Sequence, residues 1–289
     1  MNEKYLINYE ENMPNGENWI FIIGTSSTGT TVLTEILNRH PDICILNEGW
    51  LLGYIQLMFF EEINLRQITS ETDCFNKNII CKIKNRSLHK QLIQNYQISK
   101  NEIPYVFIRK ILEGLRSAIA PNKMFFGDKY GIYRNYLKEI NYIFPDCKLL
   151  LTTRNLWDQV ASLYDSDWYK CLSWYNSADV SNETTIIKKL ISKVLNIKKE
   201  NEKIINTYNI NVIDFDKMAT HSEQEIKNTL SYLNLNYELF NFDILEDTRY
   251  NTAVNHYLEI PKIVELKHDI ESKFDINNNQ EEIIAYLGV

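Results

Sequence analysis

Apolar residues arrive in short unbroken bursts, separated by stretches in which they recur every three or four positions. Together these patterns signal buried strands alternating with helices. The first burst, Trp19-Ile-Phe-Ile-Ile23, predicts a strand buried on both faces. Val32, Leu33, Ile36 and Leu37 follow at helical spacing, and this helix stops at Asn38-Arg-His-Pro41, since proline cannot continue it. Ile43-Cys-Ile-Leu46 predicts a second strand, and Phe125-Phe126 closes a third just before Gly127-Asp128-Lys129. Residues 132–144 read as a helix ended by Pro145-Asp146, 148–153 as a buried strand, 156–164 and 184–208 as helices, and 211–215 as a last strand. Strands alternating with helices imply an α/β fold with a mostly parallel sheet and right-handed crossovers. Ligands in such sheets bind beyond the carboxyl ends of the strands.

The stretch 50–122 fits the alternation poorly. It mixes an apolar helix, 51–63, with polar, lysine-bearing segments, and reads as a helical insertion or lid over the sheet's edge. No repeat, proline-rich linker or shift of composition marks a boundary, so 1–289 reads as a single domain.

Composition narrows the function more than the fold. The net charge of −7 argues against a general nucleic-acid binder, which needs a basic surface, but not against a local basic pocket for a small anion. Five cysteines (Cys44, Cys74, Cys81, Cys147, Cys171) lack any Cys-x-x-Cys spacing, so free thiols in a reducing compartment are expected and a zinc site is not. The amino terminus has no secretory pattern, and the longest apolar run, 51–60, is half of what a bilayer span requires. A cytoplasmic protein is the expectation, and a homodimer is expected on general grounds alone.

The candidate chemistry begins between the first strand and its helix, in Gly24-Thr-Ser-Ser-Thr-Gly29-Thr30-Thr31. Two glycines five residues apart have the spacing of a phosphate-binding loop, whose backbone N–H groups and helix N-terminus attract an anion. A nucleoside-triphosphate loop places lysine after the second glycine, and here that residue is Thr30. The strand 148–153 ends in Arg154 and not in a magnesium-binding aspartate. Val212-Ile-Asp214 is the nearest substitute. Both absences count against hydrolysis of ATP or GTP. A sulfuryl group carries less charge than a phosphoryl group, so hydroxyls, amides and one lysine suffice without metal.

At this point the chain resembles the sulfotransferases that use 3′-phosphoadenosine-5′-phosphosulfate (PAPS). Thr28-Gly29-Thr30-Thr31 is similar to the family's first signature, and His40-Pro41-Asp42 with a strand ending in Glu48 resembles its Golgi-type and bacterial members. The second signature, a strand, an arginine and a serine eight residues on, resembles Leu149 to Leu163 with Arg154 and Ser162. Gly127-Asp128-Lys129 is similar to the family's Gly-Asp-Lys-Thr-Pro segment, Phe144-Pro145-Asp146 to its lead into the next strand, and Ile213 to Lys217 to its Tyr-Glu-Asp-Leu strand end. The resemblance covers roughly residues 19–48 and 123–217. It implies a P-loop NTPase-like three-layer fold, with 50–122 contributing to the acceptor pocket.

The resemblance also implies roles. Thr28, Gly29, Thr30 and Thr31 would hold the 5′-phosphosulfate, with Ser27 beside them in the donor-binding loop, and Arg154 and Ser162 would hold the 3′-phosphate, with Arg249 in a late donor-contacting loop. Lys129 would face the transferring group, and Glu48 would take the proton from a hydroxyl or amine of a small molecule or side chain. In this the chain resembles the tyrosylprotein-modifying branch more than the cytosolic one, whose histidine after the motif lysine is absent: Tyr130 and Gly131 stand there. Other readings stand beside these: an Arg154–Asp158 surface pair, a solvated Lys129, and a capping or salt-bridge role for Glu48. His40 reads as structural, and the Asp165-x-Asp167 and Asp214-x-Asp216 pairs as chance imitations of a metal motif. One departure matters: the family's basic residue before Thr28 is Ser27 here, so Lys110, Arg134 or Arg249 would have to supply the charge if Lys129 and the helix dipole do not. A metal-dependent kinase and a non-catalytic nucleotide-binding module are the alternatives.

Overall fold

The computed structural model describes residues 16–49, 51, 104–167, 170, 182–242 and 259–289. Five strands form an all-parallel sheet: β1 Trp19–Ile23, β2 Ile43–Asn47, β3 Phe125–Lys129, β4 Lys148–Thr153 and β5 Ile210–Asp214, in the order β2-β3-β1-β4-β5. The described helices are α1 Thr30–Leu37, α2 Pro104–Ile119, α3 Leu137–Ile143, α4 Leu156–Asp165, α5 Glu183–Thr207, α6 Phe215–Thr220, α7 Ser222–Tyr232, α8 Pro261–Glu271 and α9 Gln280–Leu287. None of them is long and apolar enough to cross a membrane. The chain leaving β1 turns toward β2 and β3, while that leaving β4 turns toward β5. Strand order therefore reverses between β1 and β4.

The chain divides into two compact units. In the first, residues 1–23 and 37–149, β3 pairs in parallel with both β1 and β2, with Ile22 and Asn47 each in register with Lys129. Its core includes an aromatic cluster. Trp19 stacks on Phe144 at 4.6 Å and meets Phe126 edge-on at 5.3 Å. Edge-to-face and offset contacts of this kind add to the area the rings bury. The second unit, residues 24–36 and 150–289, packs α4, α5, α8 and α9 around Val160, Leu190, Ile191, Val194, Ile263 and Ile283.

Three local expectations are corrected. Gly127-Asp128-Lys129 does not follow β3 but forms its last three residues. Gly127 permits this: a Cβ there would lie 1.9 Å from the Ile20 carbonyl oxygen of the paired strand. The helix read over 132–144 is a 3₁₀ turn, Gly131–Tyr136, followed by the shorter α3. The last strand also ends one residue earlier than its apolar run, because Asp214 caps α6 by accepting from the N–H groups of Asp216 and Lys217. Phe215 thereby moves from the strand to a helix start. The expected helix 51–63 lies outside the described residues apart from Leu51, as does most of the proposed insertion.

Candidate active site

In the second unit the glycine loop is built close to its neighbours. Gly29 has φ +84°, and a Cβ on it would fall 2.0 Å from the Phe215 ring. A Cβ on Gly24 would fall 2.3 Å from Thr152 Oγ1 and 2.6 Å from Thr30 Cγ2. Both glycines are therefore required by space, and Gly29 by conformation as well. Helix α1 begins at Thr30, and the Gly29 carbonyl accepts its first helical bond from Leu33 at 2.9 Å. The first-turn N–H groups of a helix have no intrahelical acceptor, so the start of α1 can receive an anion.

Ser27, Arg154 and Ser162, assigned from separate stretches of sequence, meet here. Arg154 Nη1 donates to the Ser27 carbonyl at 3.2 Å, and the Ser162 and Ser27 hydroxyls lie 3.1 Å apart. Helix α4 begins at Leu156, as the spacing of Arg154 and Ser162 requires. Arg154 is buried, not a surface side chain; its guanidinium lies over the Phe215 ring at 5.2 Å, with Asp216 4.0 Å from its Nε. Burial lowers its pKa while Asp158 and Asp216 push it back up, and a guanidinium stays charged throughout. Thr28 has a different place from Thr30 and Thr31. It is buried, and its hydroxyl bonds to the Thr25 carbonyl at 2.7 Å and to Thr152 at 2.8 Å, so it shapes the loop from within. Thr31 is exposed at the start of α1.

Sequence reasoning missed three residues that hold this cluster. Gln159 Nε2 ties α4 to the loop through Thr25 Oγ1 at 2.9 Å and the Ser26 carbonyl at 3.0 Å. Phe215 supports both Gly29 and Arg154. Asn155 caps α4, and its N–H and Nδ2 donate to Asp216 at 2.7 and 2.9 Å. Only Asn155 left a local signal, a polar cap three residues before Asp158. Asp214 and Asp216 thus serve a helix cap and Asn155, and no described group of three His, Cys, Asp or Glu is placed to hold a metal.

In the first unit Lys129 and Glu48 are paired. Lys129 Nζ lies 3.0 Å from Glu48 Oε1, with the lysine side chain 4% and the glutamate 34% exposed. The Glu48 N–H also donates to the Lys129 carbonyl at 2.8 Å. Lys129 is therefore not solvated. Glu48 has φ +58°, a left-handed backbone that costs a non-glycine residue roughly 1–3 kcal/mol and persists only where its surroundings impose it. His40 is fully buried, with Nδ1 accepting from the Asp42 N–H at 3.2 Å. Arg134 lies in the 3₁₀ turn; Arg249 and the Lys110 side chain lie outside the described residues. Cys44 and Cys147 are free thiols, and burial pushes Cys147 up to about 12.

Beside Lys129, Asp128 is fully buried and accepts from the Tyr133 hydroxyl and the N–H groups of Gly49 (2.8 Å) and Leu51 (3.2 Å). Desolvation raises its pKa from 3.8 to about 7, although those hydrogen bonds and one from the Lys129 N–H pull it back. Between these two values the folded state keeps a proton that the unfolded chain has lost. The contribution of Asp128 to stability is therefore fullest below 3.8 and declines as pH rises to about 7, by an amount on the order of 4 kcal/mol. Asp128→Asn, neutral throughout, should lose less stability between pH 5 and pH 8 than the wild type in urea denaturation. Parallel curves would contradict the burial argument.

A family model described as the sulfotransferase family matches residues 19–238. Among solved structures, the chain is similar to a sulfotransferase domain from the curacin biosynthetic pathway, with 14% identity, 93% of this chain and 96% of that one covered, and a TM-score of 0.53. It is also similar to the sulfotransferase domain of the Synechococcus PCC 7002 olefin synthase, with 13% identity, 93% and 94% covered, and a TM-score of 0.50. No curated protein matches significantly. At such identities these likenesses establish the fold, which is P-loop NTPase-like. The family match spans well over half of the sequence, from β1 past β5, and takes in both the glycine loop and the Lys129–Glu48 pair: the chain belongs to the sulfotransferase family.

Proposed function

We propose that the protein transfers a sulfuryl group from PAPS to a hydroxyl or amine of a small-molecule or side-chain acceptor, in line and without metal. The observation that carries this reading is the convergence of Ser27, Arg154 and Ser162 at a glycine loop that has threonine where a triphosphate site has lysine. The donor set suits such a nucleotide. The start of α1 offers N–H groups, Gly24 and Gly29 leave no side chain in the loop, and Arg154 offers a charged planar fork suited to phosphate. Bound there, PAPS supplies a sulfuryl group attached to a phosphate that leaves readily.

The protein's own groups do the rest. Gly29, Thr30 and Thr31 hold the 5′-phosphosulfate through the start of α1, while Thr28 keeps the loop in shape. Arg154 and Ser162 hold the 3′-phosphate, and Arg249 is assigned to a later donor contact. Lys129 retains two ammonium protons beyond the one shared with Glu48, and these address oxygens on which charge develops. Glu48 accepts the acceptor's proton at its carboxylate. Arg154 does not replace the charge missing at Ser27, since it holds the Ser27 carbonyl and is assigned to the other phosphate; that charge falls to Lys129 and the helix start.

Calorimetry with adenosine 3′,5′-bisphosphate (PAP) tests the donor assignment. Tight binding is expected in the presence of a metal chelator, and Arg154→Ala should weaken it about 30–1,000-fold, the cost of removing a charge-assisted phosphate contact. Equal affinity in the variant would refute the role of Arg154. Preference for ATP with magnesium would favour a kinase with a degenerate loop. PAP binding with no transfer activity would leave a binding module, the reading that Ser27 motivates.

A further inference from the structure

The left-handed backbone at Glu48 calls for something that holds it, and the end of β3 supplies it. Lys129 accepts the Glu48 N–H through its carbonyl at 2.8 Å. One position earlier, the Asp128 carboxylate takes the N–H groups of Gly49 at 2.8 Å and of Leu51 at 3.2 Å. Close approach depends on Gly49: a Cβ there would lie 2.7 and 2.8 Å from Leu46 Cδ1 and Cβ, and 3.2 Å from Asp128 Oδ1. Asp128 is fixed in turn by the Tyr133 hydroxyl, and the fully buried Tyr133 ring meets Phe21 edge-on at 5.7 Å. Successive residues of a strand point to opposite faces. Neighbours on β3 thus divide the work: Lys129 meets the Glu48 side chain, and Asp128 grips the backbone that follows it.

We propose that Asp128 is a positioning residue for sulfuryl transfer: by clamping the backbone of Gly49 and Leu51 it holds the left-handed turn at Glu48 and so keeps the Glu48 carboxylate on Lys129. Asp128 itself touches no substrate. The inference rests on Glu48 being the proton acceptor, and a double-mutant cycle separates failure of that premise from failure of the inference.

The cycle uses the full chain, with PAPS and an accepted acceptor, PAP release as the readout, and PAP affinity as a control on folding. Asp128→Asn should lower kcat about 10–30-fold with PAP affinity unchanged within about twofold. In a Glu48→Gln background the same change should cost less than about twofold, because the carboxylate it aims is already gone. If Asp128→Asn does not fold, Tyr133→Phe takes its place, with a loss of about threefold that likewise vanishes beside Glu48→Gln. Losses of equal size in both backgrounds, or no loss with Glu48 intact, would overturn the positioning role. A silent Glu48→Gln would overturn it through its premise, and that result is read from a variant in which Asp128 is intact.

Discussion

Lys129→Ala is expected to lower kcat about 10²–10³-fold while PAP affinity stays within about twofold, the range found on removing one preorganised donor from developing charge. Lys129 is almost wholly buried, and its single described ion pair is with Glu48, so its charge is weakly screened by solvent. Lys129 is not proposed to contact the 3′-phosphate, hence the split between turnover and binding. Arg154→Ala should show the reverse emphasis. Removing Lys129 leaves a carboxylate that is one-third exposed and can be hydrated, so the fold should survive. Equal kcat in wild type and variant, with PAP release from PAPS as the assay, would remove Lys129 from the chemistry.

The second large effect is at Glu48. Glu48→Gln keeps the volume and removes the carboxylate proposed as base, and kcat is expected to fall about 10²–10⁴-fold, as loss of general-base catalysis does. The variant leaves the buried Lys129 ammonium facing an amide oxygen, a weaker partner than a carboxylate, so some stability is lost too. Melting temperature and PAP affinity, measured beside turnover, separate that cost from the catalytic one. Retained turnover in a folded Glu48→Gln variant would show that another group takes the proton.

Much of this was legible in the sequence because it is written locally. The burst at Trp19–Ile23, the glycine spacing, the proline stop after α1, and the spacing from Arg154 to Ser162 each lie within one element and its flanks. What was not legible depends on contacts between distant residues. Gly127-Asp128-Lys129 reads as lying beyond the strand that Phe125-Phe126 closes, yet it pairs with β1, where the Ile20 carbonyl leaves no room for a side chain at Gly127. Phe215 continues an apolar run, but the Asp214 cap turns it into a helix start, where it can lie under Gly29 and Arg154. The tie from Gln159 to Thr25 and the clamp from Asp128 to Gly49 carried no local signal, since these bonds span 134 and 79 residues. The residues that would bear the chemistry were thus easier to find than those that hold them.

Ser27 illustrates the same division. Its identity said only that a basic residue was missing. Its surroundings add that its backbone is left-handed, its carbonyl is held by Arg154 and its hydroxyl by Ser162. A long cationic side chain is not what this position supplies; it links the loop to Arg154 and to Ser162 of α4.

The most direct test of metal-free, PAPS-dependent transfer follows a label. PAPS carrying labelled sulfur is mixed with the full chain, a metal chelator, and a set of phenol, alcohol and amine acceptors. Movement of the label to an acceptor, with one PAP released per label transferred and no gain on adding magnesium, is the predicted result. Retention of the label on PAPS with every acceptor, together with magnesium-dependent transfer from ATP, would contradict it.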